Sequence, residues 1–348
     1  MPIKELKDLK ERSESIRNRI IDVSASCGGH IAPSLGVVEL TVALHHVFNS
    51  PKDSIVWDVG HQAYAHKILT GRNDRFDTLR KFKGVSGFPK ICESEHDPFG
   101  VGHCSTSISA ALGIAEAKRM SGDNSKTIAV IGDGSLTAGL AYEGMNNAGA
   151  VQNKRLIVIF NDNKMSIDKN VGAISRFMNK GLTNPTYNRI RRDVKVLLKL
   201  ISSEDLNIAA LTRKAALVVK DFFLAGSLFE AFGFRYIGPI DGHNIETLVD
   251  TLTSITHDID ESDDRGSPIL LHVITKKGKG YKPAEESPEK FHGIGPFDVE
   301  TGETIKGSGK KPPTYTQVFG DTVCDIMKRD SRVVAMTAAM PSGTGLSK

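Results

Sequence analysis

Short, unbroken apolar runs recur along this chain, and each stops at a glycine or a polar cluster. Residues 55–58 (IVWD) lead to Gly60, 127–131 (TIAVI) stop at Gly132, and 156–160 (LIVIF) stop at Asn161-Asp162-Asn163. Two more strands are expected at 234–237 and at 269–274 (ILLHVI). Runs that are apolar throughout, rather than alternating, belong to parallel strands covered on both faces. The segments between them read as helices. These are the charged N-terminal stretch MPIKELKDLKERSESIRNRIID, 105–120 with hydroxyl residues at its start, 137–149 with small residues for close packing, 207–232 and 244–255. The expected fold class is α/β: a doubly wound, mostly parallel sheet with helices on both faces.

Two stretches break this rhythm. Residues 170–205 mix Gly, Pro and Asn with a basic run, and read as a partly mobile excursion with a helix near 189–201. Residues 276–313 are rich in Gly, Lys and Pro and end in GSGKKPP, the composition of a linker. A new unit starts at Tyr315 with a helix to about Lys328 and an expected strand at 332–337 (RVVAMT). One helix and one strand cannot bury a core, so that unit is expected to be completed by something else.

Composition narrows the class of protein. The 348 residues suit one large domain or two ordinary ones, and 39% hydrophobic with 25% charged residues excludes a wholly disordered chain. Forty-five Lys+Arg against 41 Asp+Glu leave a net charge of +4, which gives no argument for nucleic acid as a partner. The basic residues Arg191, Arg192, Lys195 and Lys199 have little aromatic company and read as a solvated helix face. No run of eighteen apolar residues offers a membrane span, and the N-terminus has neither an apolar leader core nor an acid-poor transit composition. Cysteines at 27, 92, 104 and 324 form no CxxC pair, so a reducing, cytoplasmic setting is expected, with Cys27 and Cys92 as small packed residues.

The chemistry is concentrated where strands end. Gly132-Asp133-Gly134-Ser135 and Asn161-Asp162-Asn163 each follow a buried strand, and ligands of doubly wound sheets bind at that edge. Glycines beside Asp133 let backbone approach a diphosphate, and the helix expected from about 137 would aim its N–H groups at one. Asp133, the Asn163 amide oxygen and a backbone carbonyl such as that of Met165 are hard ligands. Two diphosphate oxygens and a water would complete an octahedron around Mg²⁺ at roughly 2.0–2.1 Å. A tight turn plus an Asx turn would explain either cluster alone; the pair, each after an apolar strand, favours the ligand site. The first strand-to-helix turn lacks G-x-G-x-x-G, and no P-loop sequence is present.

The GDGS and NDN pair resembles the diphosphate-and-metal motif of thiamine-diphosphate enzymes. SCGGHIAPSLGVVELTVALH at 26–45, DSIVWDVGHQAYAHKILTGR at 53–72, VGHCSTSISAALGIA at 101–115, YIGPIDGHN at 236–244, TKKGKGYKPAE at 275–285 and FHGIGPFD at 291–298 narrow the likeness. Together they are similar to the 1-deoxy-D-xylulose-5-phosphate synthase family, in the transketolase-like branch, over nearly the whole chain. The resemblance implies a thiamine-diphosphate- and Mg²⁺-dependent transferase that condenses pyruvate with D-glyceraldehyde 3-phosphate, releasing carbon dioxide. The product would feed isoprenoid, thiamine and pyridoxal precursor synthesis. It further implies a homodimer with small-molecule substrates and neither nucleic acid nor membrane as partner. It divides the chain into a diphosphate-binding domain at 1–275, a linker and cofactor-contacting loop at 276–313, and the start of a pyrimidine-binding domain at 314–348.

By matching motif, the resemblance gives Asp133, Asn163 and Met165 to the metal. It sets Gly134 and Ser135 along the diphosphate, and His61, Gly102, His103, Cys104 and Tyr281 against the cofactor. Family members more often carry Ser where Cys104 stands, and a thiol is the weaker hydrogen-bonding group. His30 and His292 match histidines near the reacting carbon and the phosphorylated acceptor. His30, His61, His103 and His292 each lie beside glycine in a polar loop, a setting that suits function. His45, His46, His66, His96, His257 and His272 lack it and are expected to be structural, and His243 to serve a turn or helix cap. The family's pyrimidine-activating glutamate and acceptor-phosphate arginines have no counterpart in these 348 residues, so the chain by itself is expected to be inactive. The rival readings are a transketolase-type two-carbon ketol transfer and a non-catalytic cofactor-binding fragment.

Overall fold

Five parallel strands run through the molecule: β1 Ser54–Trp57, β2 Thr127–Gly132, β3 Leu156–Asp162, β4 Arg235–Asp241 and β5 Ile269–Ile274. Their order across the sheet is β1-β2-β3-β5-β4. The structure is a computed structural model describing residues 3–163, 226–261, 266–305, 312–337 and 340–348. The expected helix near 189–201, most of the expected helical region 207–232, and Met165 lie outside the described residues.

The apolar runs are continuous because each strand feeds two cores. Ile128, Val130, Ile157, Ile159 and Leu271 point into one, which the helices Ile3–Cys27, Val38–Val47 and Ile245–Glu261 cover. Their neighbours Ala129, Ile131, Val158, Phe160 and Leu270 point into the other, under the helices Ser107–Met120 and Gly139–Val151. Adjacent residues therefore leave water on opposite faces, at about 1.5–3 kcal/mol for each fully buried aliphatic side chain. The N-terminal helix follows the complementary rule: Leu9, Ile16, Ile20 and Val23 recur at helical spacing and are buried. This is the doubly wound α/β architecture that the apolar runs imply.

Three local expectations change. A helical turn begins at Asp133 itself (Asp133–Leu136), and a second helix follows from Gly139. Gly132 and Ala138, both with extended backbone, start the two pieces. The linker-like stretch is folded over much of its length. It contains the helix Lys282–Glu286, and Tyr281, Ala284, Phe291, Ile294 and Phe297 are buried in the first core. Its glycines make turns rather than slack: Gly278 has φ +75°, and a Cβ there would stand 2.5 Å from the Ala284 carbonyl carbon. At 332–337 no strand forms, and Val334 and Met336 are exposed. A strand needs a partner for its backbone groups, and no described segment supplies one there. The helix Tyr315–Arg329 does form, started by a capping box between Thr314 and Gln317.

Candidate active site

The strand register sets the site's layout. Gly132 stands opposite Asn161, and Asp162 opposite Ile274, so the polar ends of β2, β3 and β5 emerge side by side. Asp133 follows β2 directly, Asn163 follows β3, Lys277 lies three residues beyond β5 and His61 four beyond β1. Each is thus carried to the C-terminal edge by a buried strand.

Two residues of Asn161-Asp162-Asn163 are tied into the sheet by their side chains. Asn161 accepts a 2.6 Å hydrogen bond from Thr275 Oγ1. Asp162 pairs with His272 at 3.2 Å, and Tyr236 Oη stands 2.8 Å from the other nitrogen of that ring. These bonds join β3, β4 and β5, and Asn163, half-buried, follows at the end of β3.

Asp133 is 6% exposed, and burial together with the Asp162 charge pushes its carboxyl up to about 7. The buried Lys277 opposes that rise, while burial lowers the ammonium itself to about 8. Two acidic groups and one buried ammonium meet here, a setting in which a divalent cation would be held favourably.

The neighbouring loop is fixed by Asp58, the residue after β1. Its carboxylate, 1% exposed, accepts the Ser105 N–H at 2.8 Å and the Ser107 N–H at 3.1 Å. It thereby caps the helix Ser107–Met120 from a different strand. Ser105 Oγ donates to the Ser135 carbonyl at 2.6 Å. One chain of bonds therefore holds Gly102, His103 and Cys104, all exposed, beside the GDGS turn.

His30, His61 and His292 converge. Ring centroids lie 5.7 Å apart for His30 and His61, 5.7 Å for His30 and His292, and 5.1 Å for His61 and His292. Backbone brings them there. Gly29 bridges to Ile294, its N–H reaching the Ile294 carbonyl at 2.8 Å and its carbonyl accepting the Ile294 N–H at 3.0 Å. Gly28, at φ +71°, has that carbonyl where a Cβ would lie 2.6 Å away, so glycine is required. His30 N–H donates to Tyr64 Oη at 3.0 Å, and Ser34 Oγ donates to the His61 carbonyl at 3.1 Å.

All three rings are held neutral. Burial, then the Arg80 charge, lowers His30 to about 4. Burial, then Lys277 and His30, lowers His292 to about 4. Burial with His292, His30 and Lys277 holds His61 well below its ordinary value. Nδ1 of both His61 and His292 is buried without a hydrogen-bond partner. Orphaned nitrogens are costly in a finished core and expected where a ligand belongs.

The sequence-derived residues thus fall into three places: the histidine cluster; the sheet edge with Asp133, Gly134, Ser135 and Asn163; and the 102–104 loop pinned beside it. Tyr281 joins none of these. Its ring packs on Phe291 at 5.6 Å, and its hydroxyl donates to the Val299 carbonyl at 2.8 Å. Sequence reasoning missed Lys277, Asp58 and Arg80, whose guanidinium stands 3.3 Å from His30 Nδ1. The strand-end rule that marked Asp133 would have found Asp58 and Lys277. Arg80 lies in a loop and carries no local signal.

Residues 2–275 match the family profile described as 1-deoxy-D-xylulose-5-phosphate synthase. The 1-deoxy-D-xylulose-5-phosphate synthase 1 of Geobacter metallireducens is 53% identical over 341 residues, covering 98% of this chain and 53% of that protein. A second relative, 1-deoxy-D-xylulose-5-phosphate synthase 2 of Geobacter sulfurreducens, is 54% identical over 334 residues, covering 96% of this chain and 52% of its own length. The chain therefore spans about half the length of the curated relatives it matches. A transketolase from Pichia stipitis shares the fold, with a TM-score of 0.59 at 16% identity over 97% of this chain and 43% of its own. By its profile match and the extent of its likeness to these relatives, the chain belongs to the 1-deoxy-D-xylulose-5-phosphate synthase family.

Proposed function

We propose that this chain supplies the diphosphate- and metal-binding half of an enzyme that condenses pyruvate with D-glyceraldehyde 3-phosphate, releasing carbon dioxide and forming 1-deoxy-D-xylulose 5-phosphate. The observation that carries this reading is two needs that meet around Lys277: buried histidine nitrogens without partners, and a buried carboxylate raised by burial and by Asp162 that a cation would stabilise. Thiamine diphosphate with Mg²⁺ answers both needs. Asp133, Asn163 and the Met165 carbonyl are the proposed metal ligands. Gly134, Ser135, His61, Gly102, His103 and Cys104 are the proposed cofactor contacts; Tyr281, packed on Phe291 with its hydroxyl bonded to the Val299 carbonyl, is not among them. When bound, the cofactor would supply the electron sink that no side chain here can provide.

The chain's own groups then have definite tasks. Arg80 donates to His30 Nδ1, so neutral His30 carries its proton on Nε2 and presents a donor to a substrate oxygen. His292, also neutral, can take or hold a proton at the same place. Lys277 contributes positive charge beside Asp133, suited to anionic oxygens. Residues 1–275 are the proposed diphosphate-binding domain, 276–313 the connecting loop and 314–348 the start of the next domain, in a homodimeric enzyme of the isoprenoid and thiamine precursor route. Because the chain spans half of its relatives, we propose that it turns over nothing alone.

Titration with thiamine diphosphate and Mg²⁺ tests the reading. Binding is expected to require the metal and to fall at least tenfold in Asp133→Asn. Binding indifferent to both would overturn it. Carbon dioxide release from pyruvate by the purified chain would refute the proposed inactivity. Restored release with a second polypeptide carrying the missing half would support a catalytic role, and a ketose-donor assay on the same mixture separates it from ketol transfer.

A further inference from the structure

A polar cavity of about 290 Å³ lies between the N-terminal helix, the helix Val38–Val47 and the turn after Lys67. Arg12, His45, His46, Ser50 and His96 are among its lining residues, none of them part of the site above. Behind it runs a chain of hydrogen bonds whose proton positions the structure determines. Asp97 is 2% exposed and accepts two bonds from Arg72, at 2.6 and 3.0 Å. The His66 and Arg72 bonds keep this carboxyl ionised, so His66 Nε2, 3.0 Å away, must be the donor to it. His66 is fully buried and neutral, which makes its Nδ1 an acceptor. His45 Nε2, 2.8 Å from that nitrogen, must then carry the proton. His45, which lines the cavity, is held neutral mainly by burial, so its Nδ1 keeps a lone pair, and no described residue hydrogen-bonds to it.

The other lining groups leave that lone pair unanswered. His46 Nε2 pairs with Glu5 at 3.1 Å, and His96 Nδ1 stands 2.9 Å from Ser50 Oγ. Arg12 brings a guanidinium that no described carboxylate engages, and among the described residues no cluster of three His, Cys, Asp or Glu side chains suits a metal ion. A ligand here must therefore offer a donor to His45 and acceptors to Arg12. We propose that this cavity binds a phosphate group that retains one proton, either inorganic phosphate or a phosphate monoester: its P–OH donates to His45 Nδ1 and its P–O⁻ oxygens accept from Arg12. Sulfate has the same shape but carries no proton near neutrality, so the fixed lone pair rejects it.

Calorimetric titration of the 348-residue chain with inorganic phosphate, glycerol phosphate and sulfate tests this, with the His45 ring nitrogens followed by NMR. Saturable phosphate binding that shifts the Nδ1 resonance is expected, with sulfate at least tenfold weaker. Arg12→Ala and His45→Gln, the latter keeping a donor for His66, should each weaken binding by about tenfold or more. Asp133→Asn should leave it unchanged, which separates this site from the sheet-edge site. Arg12 is exposed, so its variant keeps the test sharp even if His45→Gln fails to fold. Binding of glycerol phosphate alone would assign the site to phosphorylated metabolites. Sulfate binding as tight as phosphate, no binding of either phosphate probe, or phosphate binding unmoved in Arg12→Ala would overturn the proposal.

Discussion

Two groups of histidines drawn from the same stretches of sequence are built on opposite principles. His66, fully buried, bonds through both ring nitrogens within a cluster that includes Asp97, Arg72, Lys67 and Glu93. His61 and His292 each bury a ring nitrogen that bonds to nothing. The first group gives up freedom to hold the loop at 66–97 in place. The second is left open, as the proposed ligand site requires. Partnership, more than burial, is what distinguishes the two groups.

The largest expected effect lies in the structural group. Asp97→Ala leaves Arg72 and Lys67 buried without that carboxylate and should cost about 3–5 kcal/mol, measured by urea unfolding. In the open group, His292→Ala removes an unpaired nitrogen and should change stability by less than about 1 kcal/mol while weakening cofactor binding. Equal losses from the two changes would erase the distinction.

Glu39→Gln should fall next, at about 1.5–3 kcal/mol, because hydrogen bonds to charged groups are lost. Glu39 joins buried Arg17 to His243 Nδ1 at 3.1 Å, and His243 Nε2 accepts the Lys276 N–H at 2.8 Å. Since Lys276 precedes Lys277, this variant should also loosen Mg²⁺-cofactor binding.

Acidity separates the groups further. His30 and His292 have folded values near 4 against the ordinary 6.5, so the unfolded chain binds more protons between those limits. Their contribution makes stability rise with pH over that window. Asp133, raised from 3.8 to about 7, works the other way: its contribution is present below the unfolded value and lost as pH climbs to 7. Asp133→Asn should therefore steepen the rise from pH 4 to 6.5 in metal-free unfolding curves. An unchanged slope would show that Asp133 is not raised. Arg80→Ala should have the smallest effect, a slight upward movement of the His30 titration seen by NMR, since burial remains the larger cause.

Much of this was legible in the chain. The apolar runs gave every strand of the sheet within two or three residues at most positions, because strands buried on both faces are marked by continuity alone. Asp133 and Asn163 were singled out because they end such runs, and the structure sets both where β2 and β3 end. The stretch 276–305 misled because glycine and lysine suggest a linker, whereas Gly278 and Gly280 serve close contacts with Ala284 and Arg17. The expected strand at 332–337 failed because an apolar run specifies a strand only when a neighbour pairs with it. The tasks of Asp58 and His243 depend on partners 47 and 204 residues distant, which no local pattern encodes.

The bridge between Gly29 and Ile294 has a consequence for how the protein comes into being. All five strands lie between its two halves in the sequence, so His30, made well before His292, must wait for it until the sheet between them has been built. A single proteolytic cut near Gly293 would be expected to leave the strands standing while parting the two rings.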